Sequence, residues 1–248
     1  MDKPKRVQTR KPRELLVYLL RALFFIVAAT VSFSALLWGV MKAHKGLLFH
    51  IKFWTNWSVM SHVVACVLQC ALCIVRFLNE EPSTADKRAA ELVYTTALGL
   101  CGAVSLAFWS LHLHNPRSII ADPAAARLFP APIQHAAHTL PALSLITDIV
   151  LFPSEHKPQW PLATEMKLPL GITAAYAVQT LLIGLLLYNP ASSLPILRQK
   201  WPYGILDTLP LLGWPLLLGA VAATICVVQL LSRAYRKSMN KQDKEKTA

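Results

Sequence analysis

The sequence predicts an all-α, polytopic membrane protein with about six transmembrane helices. Hydrophobic residues make up 54% of the 248 residues and charged residues only 15%, which is too apolar for one soluble domain. The apolar residues form segments of roughly 20 residues or more, long enough to cross a hydrocarbon core. The net charge of +12 gathers at the chain ends and in short connections, so it does not indicate a nucleic-acid-binding stripe.

The predicted spans are separated by polar or proline-rich connections, which end helices. The first span follows a basic segment, 1–14, and is too long for a cleaved signal peptide. Within it, Arg21 is expected to extend its charge back to the lipid headgroups. The spans cover 15–40, 53–78, 89–113, 133–152, 168–187 and 209–231, so that 15–231 forms the transmembrane domain and 232–248 a basic, mostly disordered tail.

The distribution of Lys and Arg predicts that both termini face the cytosol. With this orientation the cytosolic segments contain most of the 25 basic residues, as the positive-inside rule requires. Spans two and four then begin on the opposite face, and span three ends there. Thr55, His112 and His138, although far apart in sequence, are therefore expected in one layer near the non-cytosolic headgroups.

One face of the second span carries three polar side chains, Thr55, Ser58 and His62, spaced at three and four residues. Polar groups inside hydrocarbon need hydrogen-bond partners, so this stripe indicates either helix packing or a site. A threonine hydroxyl becomes a nucleophile when a neighbouring base accepts its proton, and a neutral imidazole suits that task. Thr55 and His138 form such a candidate pair.

Histidines at this depth also allow other classes of function. His112, His114, His135 and His138 offer imidazoles that suit haem iron or a divalent metal, although paired helices with repeated His spacing are not evident. A non-enzymatic transporter or scaffold subunit is the third interpretation; the sequence has no visible inverted repeat of broken helices. The hydrolase interpretation needs neither cofactor nor metal.

Short motifs in several spans resemble a known family. They are KFWT in span two, QHAAHT opening span four, Asp148 ten residues after His138, and KWPYGIL before span six. This set is similar to the androgen-induced gene and androgen-dependent TFPI-regulating protein family of multi-pass membrane proteins. Vertebrate members are threonine hydrolases that cleave fatty acid esters of hydroxy fatty acids. The resemblance implies that Thr55 is the nucleophile and His138 the catalytic histidine.

The chain also departs from the family pattern. Trp54 stands where a small aliphatic residue is usual, Gln134 replaces Asn, and the end of span three, SLHLHNP, differs. These departures concern the exact substrate, which is expected to be a fatty acid ester of a hydroxy fatty acid or a similar amphiphilic lipid ester. The residues predicted to line its pocket are Ser58, His62, His112, His135, Trp201 and Tyr203.

The final residues, KEKTA, indicate a location. Lys244 and Lys246 stand fifth and third from the end, a spacing similar to the dilysine retrieval signal that coat proteins read on cytosolic tails. The endoplasmic reticulum is therefore the predicted compartment. The plasma membrane is the alternative, because lysines in a basic tail meet this spacing by chance.

Overall fold

The computed structural model describes residues 11–43, 53–115, 129–193 and 213–247, and these residues form helices with no strand. Trp201 and Tyr203, predicted to line the pocket, lie outside the described residues. The helices are α1 (Pro12–Ala43), α2 (Trp54–Phe77), α3 (Thr84–His114), α4 (Ala131–His138), α5 (Leu140–Leu151), α6 (Leu162–Leu181) and α7 (Gly213–Thr247), with a 3₁₀ turn (Pro153–Glu155) after α5 and a π-helical segment (Leu182–Leu187) after α6.

Five helices of the described chain are long and apolar enough to cross a membrane: α1, α2, α3, α6 with its π-helical segment, and α7. The prediction of an all-α, multi-pass membrane protein is therefore confirmed. The fourth predicted span is different, because α4 and the 12-residue α5 divide it.

The prediction of one continuous helix over 133–152 is wrong. The helix breaks at Thr139, whose backbone lies at φ −106° and ψ −51°. Pro141 explains the break, because it has no N–H to donate to the Ala137 carbonyl four residues earlier and its ring crowds that carbonyl. The break separates the short helix α4 from α5.

Local sequence explains two of the sharpest helix ends. Asn79, at a positive φ of 62°, ends α2. The Glu80 N–H donates to the Val75 carbonyl and the Asn79 N–H to the Arg76 carbonyl, which is a Schellman motif. Ser83 begins α3 by accepting the Asp86 N–H at 3.1 Å. The two caps set a tight turn between α2 and α3.

The helices pack in a bundle in which α2 and α3 are central. α1 packs mainly along α2, and α3 contacts α2, α6 and α7. Small residues allow α3 and α7 to approach closely, since a Cβ on Gly102 would lie 3.1 Å from a methyl carbon of Val228. Thr55 and His138 lie at the end of the bundle that is formed by the start of α2 and the end of α3.

The opposite end of the bundle contains a buried charge cluster. Its residues, each at most 5% exposed, are Arg21, Glu91, Asp148, His156, Glu165 and Arg236. The expectation that Arg21 extends to the headgroups is wrong. Asp148 holds the guanidinium inside the bundle with two hydrogen bonds of 2.7 and 2.8 Å, because a buried charge needs a paired partner.

The cluster also explains the C-terminal helix. The expectation of a mostly disordered tail after residue 231 is wrong, because α7 continues to Thr247. Arg236 pairs with Glu91 of α3 and with Glu165 of α6, and Arg233 lies 2.8 Å from Glu165. These ion pairs attach the first turns beyond residue 231 to two other helices.

Candidate active site at the helix break

The break between α4 and α5 places His138 beside the first turn of α2. His138 is the last residue of α4, and Thr55 is the second residue of α2. The Thr55 Oγ1 atom lies 3.1 Å from the His138 Nε2 atom. Two side chains 83 residues apart thus form a hydrogen-bonded pair, called the Thr55–His138 dyad below.

The second ring nitrogen of His138 determines the direction of that hydrogen bond. Nδ1 lies 3.0 Å from the backbone carbonyl of Gln134. A carbonyl oxygen only accepts, so Nδ1 carries the proton and Nε2 presents a lone pair. The Thr55 hydroxyl therefore donates to Nε2. This is the arrangement of a nucleophile and its general base.

Aromatic packing fixes the imidazole plane. The Phe108 ring of α3 stacks on the His138 ring with centroids 3.5 Å apart and planes 17° apart. The Ser105 hydroxyl, one turn before Phe108, donates to the His138 backbone carbonyl. Since the break leaves the last carbonyls of α4 without helical partners, Ser105 satisfies one of them and fixes the position of the residue.

The residue at the break has its own partners. The Trp109 indole N–H donates to the Thr139 hydroxyl at 2.9 Å, and His135 Nδ1 lies 3.2 Å from the same oxygen. His135 also packs against the Trp109 ring at 4.8 Å, and His112 stacks on Phe108 at 5.4 Å. His112 and His135 thus surround the dyad without contacting the Thr55 hydroxyl.

The remaining polar residues of the α2 stripe hold helices together. Ser58 donates to the Thr55 carbonyl at 2.8 Å and is fully buried. His62, also fully buried, bonds Ser144 of α5 at 2.8 Å. The Ser144 hydroxyl donates to the Pro141 carbonyl, so it accepts from His62. The stripe therefore connects α2 to the residues that follow the break.

A cavity of about 790 Å³, including its open mouth, begins at Thr55 and extends between α2, α3, α6 and α7. Its lining is mainly apolar and consists of Trp54, Thr55, Val104, Ala107, Phe108, Leu111, Thr173, Tyr176, Ala177, Thr180, Trp214, Leu217, Leu218 and Val221.

The structure places four of the predicted pocket residues outside the lining of this cavity. Ser58, His62, His112 and His135 are not among the residues that line this cavity. The Ser58 hydroxyl bonds within α2, His62 bonds Ser144 of α5, and the two outer histidines pack on the aromatic rings of α3. Within the described residues, no group of three or more His, Cys, Asp or Glu side chains is arranged to hold a metal ion.

Several residues of the site were not predicted from the sequence. Phe108, Ser105 and the Gln134 carbonyl orient His138, and α6 and α7 supply eight of the fourteen residues that line the cavity. The signal for α3 was present, because Val104, Phe108 and Leu111 recur at helical spacing. The replacement of Asn by Gln at position 134 leaves its contact with His138 unchanged, since the contact uses the backbone.

Comparison with known proteins confirms the family resemblance that the sequence motifs indicated. A family model described as FAR-17a/AIG1-like protein matches residues 20–237, which include the Thr55–His138 dyad, the cavity and the buried charge cluster. Neither the comparison with curated proteins nor the comparison with solved structures gave a match. Because the family model covers most of the chain, this multi-pass membrane protein belongs to the FAR-17a/AIG1-like family.

Proposed function

We propose that this protein is a membrane-embedded hydrolase that cleaves lipid esters with Thr55 as nucleophile and His138 as general base. The observation that carries the proposal is the hydrogen bond of 3.1 Å from Thr55 Oγ1 to the lone pair of His138 Nε2, in a residue that lines an apolar cavity. An activated hydroxyl beside a cavity for acyl chains is what ester cleavage in a membrane needs.

The two ring nitrogens of His138 have different tasks in the proposed reaction. His138 Nε2 accepts the Thr55 proton as Oγ1 attacks the ester carbonyl carbon. The tetrahedral intermediate collapses, the C–O bond to the alcohol breaks, and the alcohol oxygen takes the proton from Nε2. A water molecule, deprotonated by Nε2, then attacks the acyl-threonine carbonyl. The bond to Thr55 Oγ1 breaks, Oγ1 takes the proton back from Nε2, and the carboxylic acid is released. The Gln134 carbonyl keeps the Nδ1 proton in place throughout.

The site favours an amphiphilic ester over a water-soluble one. Thr55 lies in the first turn of α2, so the reacting bond is expected near the headgroup layer while an acyl chain occupies the apolar cavity. Fatty acid esters of hydroxy fatty acids, the substrates implied by the family resemblance, have this character. Similar amphiphilic esters fit the same description.

Turnover by purified variants tests the proposal. In detergent, with p-nitrophenyl octanoate as substrate, Thr55→Ala is expected to lower kcat/KM by about 10³-fold or more and His138→Ala by about 10²–10⁴-fold. Ser61→Ala is the matched control on α2, because the Ser61 hydroxyl donates to the backbone carbonyl of Trp57 within the same helix. Normal turnover in a folded Thr55→Ala protein would contradict the proposal.

We also propose that the protein resides in the endoplasmic reticulum, with coat proteins recognising its dilysine tail. The support is the spacing of Lys244 and Lys246, which matches a dilysine signal. Replacing both with serine is expected to move a tagged protein to the plasma membrane in fluorescence microscopy. An unchanged distribution would contradict this assignment.

A further inference from the structure

Two buried polar atoms, each on a residue that lines the cavity, have no hydrogen-bond partner among the described residues. They are the indole Nε1 of Trp54 and the hydroxyl of Thr180. Both residues line the cavity, and they are only 8% and 3% exposed. A buried donor without a partner destabilises the folded state, so such groups in a folded protein need an explanation.

A second threonine in the same helix makes the state of Thr180 unusual. Thr173, which also lines the cavity, donates its hydroxyl to the Pro169 carbonyl four residues earlier at 2.9 Å. This local bond is the usual solution for threonine inside a helix. The Thr180 hydroxyl lacks it, and the π-helical segment Leu182–Leu187 begins two residues later. Single π-helical turns occur frequently at functional sites.

The Trp54 indole is held in place beside the nucleophile. Its ring stacks on Tyr176 of α6 with centroids 6.2 Å apart and planes 22° apart. Tyr176 lies one helical turn before Thr180, so Trp54 and Thr180 belong to the same part of the cavity wall. Trp54 also precedes Thr55 directly. An indole N–H only donates, and a hydroxyl both donates and accepts.

We propose that the Trp54 indole N–H and the Thr180 hydroxyl form a polar anchor that hydrogen-bonds an oxygen atom of the lipid held in the cavity. The anchor selects a ligand with an apolar body and an acceptor oxygen close to the atom that Thr55 attacks, and it rejects a plain hydrocarbon. The inference rests on the proposed function, because it assigns the residues that hold the substrate. Trp54, which departs from the family pattern, would then have a role in binding the substrate.

Binding of a ligand that cannot be hydrolysed tests the anchor. Methyl decyl ketone and dodecane share a long apolar chain, but only the ketone has an acceptor oxygen. With the protein in lipid nanodiscs and empty nanodiscs as the blank, the wild type is expected to bind the ketone at least about fivefold more tightly than dodecane, the ratio that one hydrogen bond gives. Trp54→Phe and Thr180→Val are each expected to reduce that preference severalfold. Phe and Val retain most of the apolar shape.

Two matched variants serve as controls. Trp57→Phe removes an indole that also contacts Tyr176, at 6.1 Å, but does not line the cavity. Thr173→Val removes a hydroxyl that the Pro169 carbonyl already occupies. Both are expected to retain the ketone preference. The anchor is wrong if the wild type shows no preference, or if Trp54→Phe and Thr180→Val both retain it.

Different results would contradict the proposed hydrolase and the proposed anchor. Full turnover in Thr55→Ala overturns the hydrolase but leaves the ketone preference intact, since the ketone undergoes no hydrolysis. Loss of turnover in Thr55→Ala together with an absent ketone preference overturns the anchor alone.

Discussion

His138 has both ring nitrogens engaged by the fold before any ligand binds. In serine hydrolases a carboxylate commonly holds the second nitrogen of the catalytic histidine. Here the Gln134 carbonyl takes that position at 3.0 Å. A carbonyl fixes the tautomer but carries no full negative charge, so it gives less stabilisation to the imidazolium. The nearest buried carboxylate on the same span, Asp148, bonds Arg21 and His156 instead.

His156 differs from His138, because both of its ring nitrogens bond carboxylates. It lies after the 3₁₀ turn, with its ring 4.3 Å from Tyr94, and it bonds Asp148 at 2.6 Å and Glu91 at 3.3 Å. Burial alone would lower the pKa of His156, but its hydrogen bonds to the two carboxylates outweigh that effect and raise the pKa above its ordinary value. The fold therefore favours the protonated ring.

Stability is expected to fall as the pH rises, because of His156. A histidine with a raised pKa in the folded state contributes its full stabilisation below its unfolded pKa, about 6.5, and loses it as the pH passes the folded value. Thermal unfolding in detergent between about pH 6 and pH 9 measures this loss. His156→Gln is expected to flatten the dependence, and an equally steep dependence in that variant would contradict the assignment.

At the scale of elements, the division of the fourth span determines the site. The short α4 ends in His138, and Ser105 and Trp109 of α3 satisfy the groups that the break exposes. The His62–Ser144 bond attaches α5 to α2 just after the break. The dyad thus depends on a discontinuity in the helix that a single continuous span would not provide.

Removing the cause of the break is expected to damage activity more than stability. Pro141→Ala allows α4 and α5 to join, which rotates His138 away from Thr55, and a misplacement of about 1 Å can cost about 10²-fold in rate. Ester turnover should fall by that order while thermal stability changes little. Pro169→Ala is the control, since it removes a proline inside α6 away from the dyad. Equal turnover in both variants would contradict the role of the break.

At the scale of the whole molecule, the Thr55–His138 dyad and the buried charge cluster lie at opposite ends of the bundle. The dyad lies at the start of α2 and near the end of α3, whereas the buried charge cluster joins the start of α3, the end of α5 and the start of α6. The antiparallel order of the helices separates them. The cluster lies at one end of the bundle, and Thr55 lines the cavity at the other.

Topology made the dyad predictable from the sequence. Parity of the spans put Thr55 and His138 in one layer, and the HxxHT motif identified the histidine. The division of the fourth span was also visible in Pro141, but only packing determines where the chain turns. Arg21 and Asp148 pair across 127 residues and the cavity needs four helices to close around it, so neither follows from local pattern.

Covalent trapping tests the central claim most directly. Purified protein is treated with a long-chain fluorophosphonate, digested, and analysed by mass spectrometry to locate the modified residue. Label on Thr55, absent in His138→Ala protein that retains its fold, is the result the proposed mechanism predicts. Label on Ser58 or Ser144 with Thr55 unmodified, or unchanged labelling of Thr55→Ala, would contradict it.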